Sequence, residues 1–296
     1  SVPEKDGRRR LWQPCVKQMA LVVLKSNCKV NIGLKIVSQR PDGYHTIHTL
    51  FQELDFHDTI ILKKRDSSCQ FSSNVNWLRN DTSNLCVNAW EKMSTLYDIG
   101  GLSIKLEKKI PAGRGLGGGS SNAAAMLKGI QELYDLNASN ENLESIGLEL
   151  GADVPFFIKG GTQIGDGIGE LLTTVQAPVP GTYLLVMPDI HIDTAWAYGK
   201  IKKILDKPRE AINFAGFVQG DIIHFEHFEN DFEVIVVPAY PEIGYIKNTL
   251  RAFGARYAGL SGSGSTVFGI FDEDAAAKMA ESHFSSKYHT AVSRPT

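Results

Sequence analysis

Cysteine is scarce in this chain, with four in 296 residues, at Cys15, Cys28, Cys69 and Cys86. None stands in a Cys-x-x-Cys pair, which argues against a thiolate metal site and a disulfide framework and favours reduced thiols in a cytoplasmic protein. An excess of one charge is also missing. Lys and Arg number 31 against 33 Asp and Glu, for a formal net charge of -2. The basic residues are spread along the chain, so no nucleic-acid partner is expected. The apolar run Met19–Leu24 is too short to cross a bilayer, and no membrane association is expected. Ser1–Lys17 is polar and carries Arg8-Arg9-Arg10, and Met19 directly precedes a strand-like run, so residues 1–18 read as an N-terminal extension. With 43% hydrophobic and 22% charged residues, the composition is that of a globular chain with room for one large or two modest domains.

One further absence lies inside the most informative stretch, Pro111-Ala-Gly-Arg-Gly-Leu-Gly-Gly-Gly-Ser-Ser-Asn122. A Walker phosphate loop needs a lysine directly after its glycines, and none follows here. The spacing Gly-x-Gly-x-x-Gly does occur at Gly113, Gly115 and Gly118. The Pro-led approach from Lys108 is a poor Rossmann first strand, however, and no acidic residue closes a second strand at the expected distance. What remains is a glycine and hydroxyl cradle running into an amphipathic helix over Asn122–Leu136, with Met126, Ile130 and Leu133 on one stripe. Glycine lets the backbone approach an anion, and the free amides of a helix start point partial positive charge at it. Polyphosphate is the natural ligand.

The coarse pattern interleaves strands and helices without a βαβ rhythm, which predicts an α+β class. Residues 19–37 and Thr59–Lys64 read as strands, with a turn between them. Ser83 is placed to cap a helix with the stripe Leu85, Ala89, Met93 and Leu96, followed by a strand over Leu102–Leu106. Ser139 caps a helix that buries Leu143, Ile146 and Leu150, and Gly151 ends it. The segment Ala177-Pro-Val-Pro-Gly181 marks a domain boundary, so that 19–178 and 179–296 form two domains. The second holds a strand at Tyr183–Met187, a helix from about Asp193, and a helix with Ile243, Ile246, Leu250 and Phe253 inward. It closes on a strand, the block Leu260-Ser-Gly-Ser-Gly264, another strand and a last helix through Met279. His57 reads as a turn residue, and the acidic stretch Glu226–Glu233 as solvated charge and capping.

Three blocks resemble the GHMP kinases. They are the Pro-x-x-x-Gly-Leu-Gly-Gly-Gly-Ser-Ser loop, Lys29-Val-Asn31, and Gly259-Leu-Ser-Gly-Ser-Gly264, in the family's order and separation. Arg40-Pro-Asp-Gly-Tyr-His45, Thr49-Leu-Phe-Gln52, Leu150-Gly-Ala-Asp-Val-Pro-Phe156 and Gly167-Ile-Gly-Glu170 are similar to one branch. Its acceptor is the cytidine-diphosphate-linked methylerythritol of the non-mevalonate isoprenoid pathway. The resemblance spans about Cys28 to Phe271 and implies a two-domain GHMP kinase fold with the active site in the cleft between domains. It also implies phosphorylation of the acceptor's 2-hydroxyl at the expense of ATP, with Mg²⁺ accompanying the nucleotide.

The resemblance implies roles residue by residue. Asp153 faces the acceptor hydroxyl and Lys29 is its partner, although a bare Gly-Ala-Asp reads as a turn or capping aspartate. For the nucleotide it implies Gly113, Gly115, Leu116, Gly117, Gly118, Gly119, Ser120 and Ser121 around the phosphates, with Asn84 and Lys108 near the adenine. For the substrate it implies Asn31 near the reacting alcohol, Tyr44 and His45 on the cytosine with Phe51 completing the sandwich, and Thr194 and Tyr198 as the far wall. By themselves Tyr44 and His45 read as a half-buried tyrosine and a solvated histidine after a turn, and a helix N-cap explains Thr194 or Asp193 equally well. No carboxylate cluster suggests metal ligands, so Mg²⁺ is expected to bind through phosphate and water. The expected partner is the small-molecule substrate, and the expected state a monomer or weak homodimer.

Overall fold

The computed structural model describes residues 21–201, 214–217 and 223–296. The extension expected over 1–18, with Cys15, lies outside the described residues.

β1 (Leu21–Gln39) and β2 (His45–Arg65) form a long antiparallel pair, buried on both faces over 28–36 and 47–52 and joined by the turn that holds Gly43. Bulges at Asn27/Cys28, Ile32/Leu34 and Ile36/Ser38 bend the pair, as an extra residue in one strand does. β3 (Cys69–Ser73), α1 (Leu85–Leu96), β4 (Gly101–Glu107), α2 (Gly118–Tyr134), α3 (Asn140–Leu150), α4 (Val154–Lys159), β5 (Thr162–Asp166) and β6 (Leu171–Thr174) follow. The first sheet runs β3-β4-β2-β5-β6, with β1 paired to β2. Then come β7 (Thr182–Met187), α5 (Thr194–Ile201), α6 (Phe214–Phe217), α7 (Glu233–Ala239), α8 (Pro241–Ala252), β8 (Tyr257–Leu260), β9 (Val267–Phe271), α9 (Asp274–Phe284) and β10 (His289–Ser293). They build a second sheet in the order β10-β7-β9-β8. The fold is α+β.

Helices α1 to α4 cover the first sheet, burying Met93, Met126, Ile130, Leu143 and Phe156 to form one core. Helices α5, α7, α8 and α9 bury Ile201, Val236, Ile246, Leu250 and Phe284 in a second core. A third core joins the sheets: Val30, Ile32 and Leu50 pack with Tyr183, Leu185 and Phe268. That shared layer fixes β1, and with it Lys29 and Asn31, against both halves of the chain. Among the described residues no helix is long and apolar enough to cross a membrane.

Several local expectations are corrected. Asn84, not Ser83, caps α1: its side chain accepts from the Cys86 amide, while Ser83 bonds to Asp81. Leu96, expected on the buried stripe, is 61% exposed. The phosphate helix runs Gly118–Tyr134, so it starts four residues before the expected Asn122. Ser139 caps α3 as expected, but Gly151 ends it in extended backbone, so no left-handed glycine is involved. His57 lies within β2, opposite Asn27, because the strand continues through a bulge where local composition suggests a turn. Strands β3, β5, β6 and β10 and helices α4, α6 and α7 had no expected counterpart. Each is seven residues or shorter, too short for a period to show in sequence, and is ordered by tertiary pairing.

Candidate active site

The loop before α2 turns on three glycines in left-handed backbone, Gly113, Gly115 and Gly117, with φ of 65°, 79° and 68°. Helix α2 then begins without a side-chain cap, leaving the amides of its first turn as unclaimed donors. These amides open on a cavity of about 650 Å³ lined by residues of both halves, among them Lys29, Asp153, Lys108, Tyr198 and Gly262. Gly113, Gly115, Leu116, Gly117, Gly118, Gly119 and Ser120 all line it. Ser121 does not. Its hydroxyl accepts from Ser26 at 2.8 Å in the buried contact between α2 and β1, and its amide closes the helix onto Gly117.

The second glycine block is braced against the first. Ser261 Oγ donates to the Gly115 carbonyl at 2.8 Å and accepts from the Asn31 amide at 3.3 Å. Any Cβ on Gly115 would collide with the Ser261 carbonyl, so the close approach and the positive φ both demand glycine there. The stretch read as solvated charge holds this block in place. Asn230 Nδ2 donates to the carbonyls of Leu260 and Gly262 at 2.7 and 2.8 Å, and Glu233 accepts from the Leu260 amide at 2.9 Å. Asp231, 6% exposed, accepts from the Ile36 amide at 2.8 Å. Counting charges in sequence cannot separate such a buried brace from a solvated face.

Asp153 stands at the N-terminus of α4, yet its side chain makes no capping bond. Its carboxylate meets Lys29 Nζ at 3.4 Å. The Lys29 ammonium, 6% exposed, also donates to Asn31 Oδ1 at 2.7 Å and sits 4.7 Å above the centre of the Phe51 ring. Asn31 is held in turn, donating to Thr49 Oγ1 at 3.0 Å. A buried ammonium with one carboxylate, one amide oxygen and an aromatic face is compensated on each side. The pair therefore offers a fixed positive charge and a carboxylate 33% open to the cavity.

A second cavity, of about 620 Å³, adjoins the first. Tyr44, His45 and Gln39 line it, and it shares Ala152, Ile168, Thr194 and Tyr198 with its neighbour. His45 stacks on Tyr198 with ring centres 4.8 Å apart, while Tyr44 is 62% exposed. Burial, with the Asp153 charge adding to it, pushes the Tyr198 hydroxyl up to about 12, so it stays a neutral donor. Thr194 bonds Ser263 at 3.1 Å, and Asp193 takes the capping role by accepting from the Trp196 amide. Phe51 is not beside Tyr44 and His45. It is 1% exposed, packed on Phe156 beneath Lys29.

Lys108 and Asn84 both line the first cavity. The Lys108 ammonium is taken up by Asp58 at 2.5 Å, and Asp58 also accepts from the amides of Lys109 and Ile110 and from Asn122 Nδ2. Asp58 is fully buried. It sets the path of the chain into the glycine loop, and no pattern in sequence marks it, since its four donors come from segments far along the chain. Among the described residues no group of three or more His, Cys, Asp or Glu could hold a metal ion.

Comparison with known proteins places this geometry. Residues 84–161 match the GHMP kinases N terminal domain and residues 214–290 the GHMP kinases C terminal domain. The chain is 38% identical over 276 residues to the 4-diphosphocytidyl-2-C-methyl-D-erythritol kinase of Alkaliphilus oremlandii, covering 91% of this chain and 94% of that one. It is 36% identical over 284 residues to the enzyme of the same name from Chlorobium luteolum, covering 94% and 98%. A crystal structure of 4-(cytidine 5'-diphospho)-2C-methyl-D-erythritol kinase superposes with a TM-score of 0.80 at 28% identity, covering 93% of this chain and 99% of that one. With both halves of the fold matched and relatives aligned over nearly their whole length, the chain is a kinase that belongs to the 4-diphosphocytidyl-2-C-methyl-D-erythritol kinase family of the GHMP kinases.

Proposed function

We propose that this protein transfers the γ-phosphoryl group of ATP to the 2-hydroxyl of 4-diphosphocytidyl-2-C-methyl-D-erythritol, in a cleft between domains divided near residues 178 and 179. The observation that carries this reading is the position of the Lys29 and Asp153 pair, 3.4 Å apart. Asp153 lines the glycine-loop cavity next to Ala152, Ile168, Thr194 and Tyr198, the residues that cavity shares with the one holding Tyr44 and His45. The triphosphate lies over the first-turn amides of α2, and the cytosine lies against Tyr44, His45 and Tyr198. The acceptor hydroxyl then reaches the junction between them.

Transfer forms a bond from the acceptor oxygen to γ-phosphorus and breaks the bond from phosphorus to the bridging oxygen, which leaves with ADP. Because the transition state is loose, positioning and charge stabilisation carry most of the catalysis. Asp153 orients the hydroxyl and accepts its proton, and Lys29 holds that carboxylate in place while lowering the cost of charge on the transferring group. Asn31 fixes the lysine. Leu116 seats the loop on β1, accepting from the Lys29 amide at 3.0 Å. The donor set fits Mg²⁺, which prefers phosphate and water to a carboxylate cage. Ser120, on the cavity wall, would hold it with the triphosphate oxygens, and the ion would neutralise charge on the β- and γ-phosphates.

The test is ADP release by the purified protein with Mg²⁺ and ATP, supplied in turn with 4-diphosphocytidyl-2-C-methyl-D-erythritol, mevalonate or homoserine. Turnover with the first compound alone is expected. Turnover with either of the others and none with the first would overturn the assignment of the acceptor.

A further inference from the structure

Large apolar side chains that stand exposed on a folded surface carry meaning when they also border a cavity. Among the described residues two exposed large apolar side chains do so. Tyr44 borders the smaller cavity, and Trp77, 52% exposed, borders the larger one. Nothing in the proposed phosphoryl transfer uses Trp77.

Its place along the cavity follows from the glycines. A side chain at Gly117 would meet Lys29 Cγ at 3.1 Å, on the reacting side. At Gly118 it would meet Lys108 Nζ at 3.0 Å, and at Gly119 it would reach Leu85 Cδ1 at 3.6 Å. The helix start therefore separates Lys29 and Asp153 from an end lined by Lys108, Leu85, Leu78 and Trp77. A nucleotide whose phosphates lie over that helix start, with its γ-phosphate toward Lys29, directs its base to this other end.

The segment that carries Trp77 is fastened at both ends. Asn74 donates to the Lys108 carbonyl at 3.0 Å and accepts from the Lys108 amide at 2.7 Å, a reciprocal pair between side chain and backbone. At the other end Asn84 Nδ2 donates to the Arg79 carbonyl at 3.1 Å and the Asn84 amide to the Asp81 carbonyl at 3.0 Å. The indole is thus presented from a tethered loop whose two anchors, Lys108 and Asn84, themselves line the cavity.

We infer that Trp77 is the stacking platform for the nucleobase of the phosphoryl donor and a determinant of base preference, an inference that rests on the nucleotide reading above. A flat indole offers a π-face on which any base can stack. Larger purines gain more overlap than pyrimidines, so the platform favours ATP over CTP.

The experiment compares the full-length chain with Trp77→Ala and Trp77→Phe, measuring Mg·ATP and Mg·CTP binding by calorimetry and KM by turnover. Inorganic tripolyphosphate, which keeps the phosphate contacts and lacks a base, is the control ligand. Trp77→Ala is expected to weaken ATP binding about tenfold, with the loss in KM rather than kcat. CTP should lose less, tripolyphosphate should bind as before, and Trp77→Phe should recover most of the affinity. Unchanged ATP binding in Trp77→Ala would overturn the inference, as would an equal loss for tripolyphosphate, which would make Trp77 a support of the loop. Tight, Trp77-dependent ATP binding by a protein that turns over no cytidine acceptor would leave this inference standing and remove the proposed acceptor. No ATP binding by the unaltered protein would remove both.

Discussion

Lys29 reaches Asp153 at 3.4 Å, the ammonium 6% and the carboxylate 33% exposed, so the buried cation is the fixed member and the carboxylate the one open to the cavity. Capping would have been the ordinary use of an aspartate at this helix start, and the side chain leaves it unfilled. Replacing Asp153 by Asn preserves shape and removes the proposed proton acceptor. We expect kcat to fall about 10²–10⁴-fold while ATP affinity, measured by calorimetry, stays within about twofold. Unchanged turnover would take Asp153 out of the chemistry.

Gly115 is the tightest point between the two glycine blocks, with φ of 79° and no room for a Cβ beside Ser261. Left-handed backbone alone costs alanine about 1–2 kcal/mol, and the collision must also displace the block that Asn230 braces. Gly115→Ala is therefore expected to weaken ATP binding at least about tenfold, whereas Ala at Gly43, which faces open space in the hairpin turn, should leave ATP binding near that of the unaltered protein. Equal ATP affinity for both variants would contradict the close-packed loop.

The contrast between these residues shows what was legible in sequence. Glycines that need positive φ announce themselves by type, and an apolar stripe such as Met126, Ile130 and Leu133 announces a helix by its period, so the cradle and α2 could be read directly. Asp153 and Lys29 were readable only through the motifs around them. Asp58, Asn230 and Asp231 were not, because their work is to satisfy backbone groups from remote segments, and nothing in their own neighbourhood records that. Phe51 was misplaced for a related reason: it stands six residues along β2 from His45, on the same face but too far along the strand to share a base, and pairing with β1 puts its ring under Lys29.

Asp58 offers a direct energetic test of that hidden layer. Both it and the Lys108 side chain are almost wholly buried. Removing one partner of such a pair strands the other, at a cost of about 3–5 kcal/mol. Asp58→Ala should accordingly lower the denaturant midpoint sharply. Adding Lys108→Met should recover a measurable part of the loss, since it removes the stranded ammonium. A double variant no more stable than Asp58→Ala would mean that the amides of Lys109 and Ile110, not the ion pair, account for the effect.

Stability should also decline in alkali. Burial raises the Cys86 thiol from the ordinary value of 9.0 to about 12 and raises the Cys28 thiol as well. Above pH 9 the unfolded chain loses these protons while the folded one keeps them, so the unfolded state binds fewer and stability falls as pH rises. Their contribution is complete below pH 9 and is lost progressively toward pH 12. Denaturant midpoints measured at pH 8 and pH 10.5 should fall, and Cys28→Ala with Cys86→Ala should flatten that slope. A slope identical in the double variant would assign the decline to other groups.

The acceptor side can be separated from the donor side by the His45 and Tyr198 stack, whose ring centres are 4.8 Å apart. An aromatic pair of this kind contributes about 0.5–1.5 kcal/mol beyond its area, and on the proposed reading it forms the wall against which the cytosine lies. Tyr44, exposed at the same cavity, supplies a second face for the base on that reading. Tyr44→Ala and His45→Ala should each raise KM for the cytidine acceptor about tenfold, the scale of one lost base stack, with little change in KM for ATP. Tyr198→Phe keeps the ring and should cost far less than Tyr198→Ala, because a hydroxyl held neutral by burial contributes at most a hydrogen bond. Equal rises in both KM values would show that these residues shape the cleft as a whole and do not recognise the base.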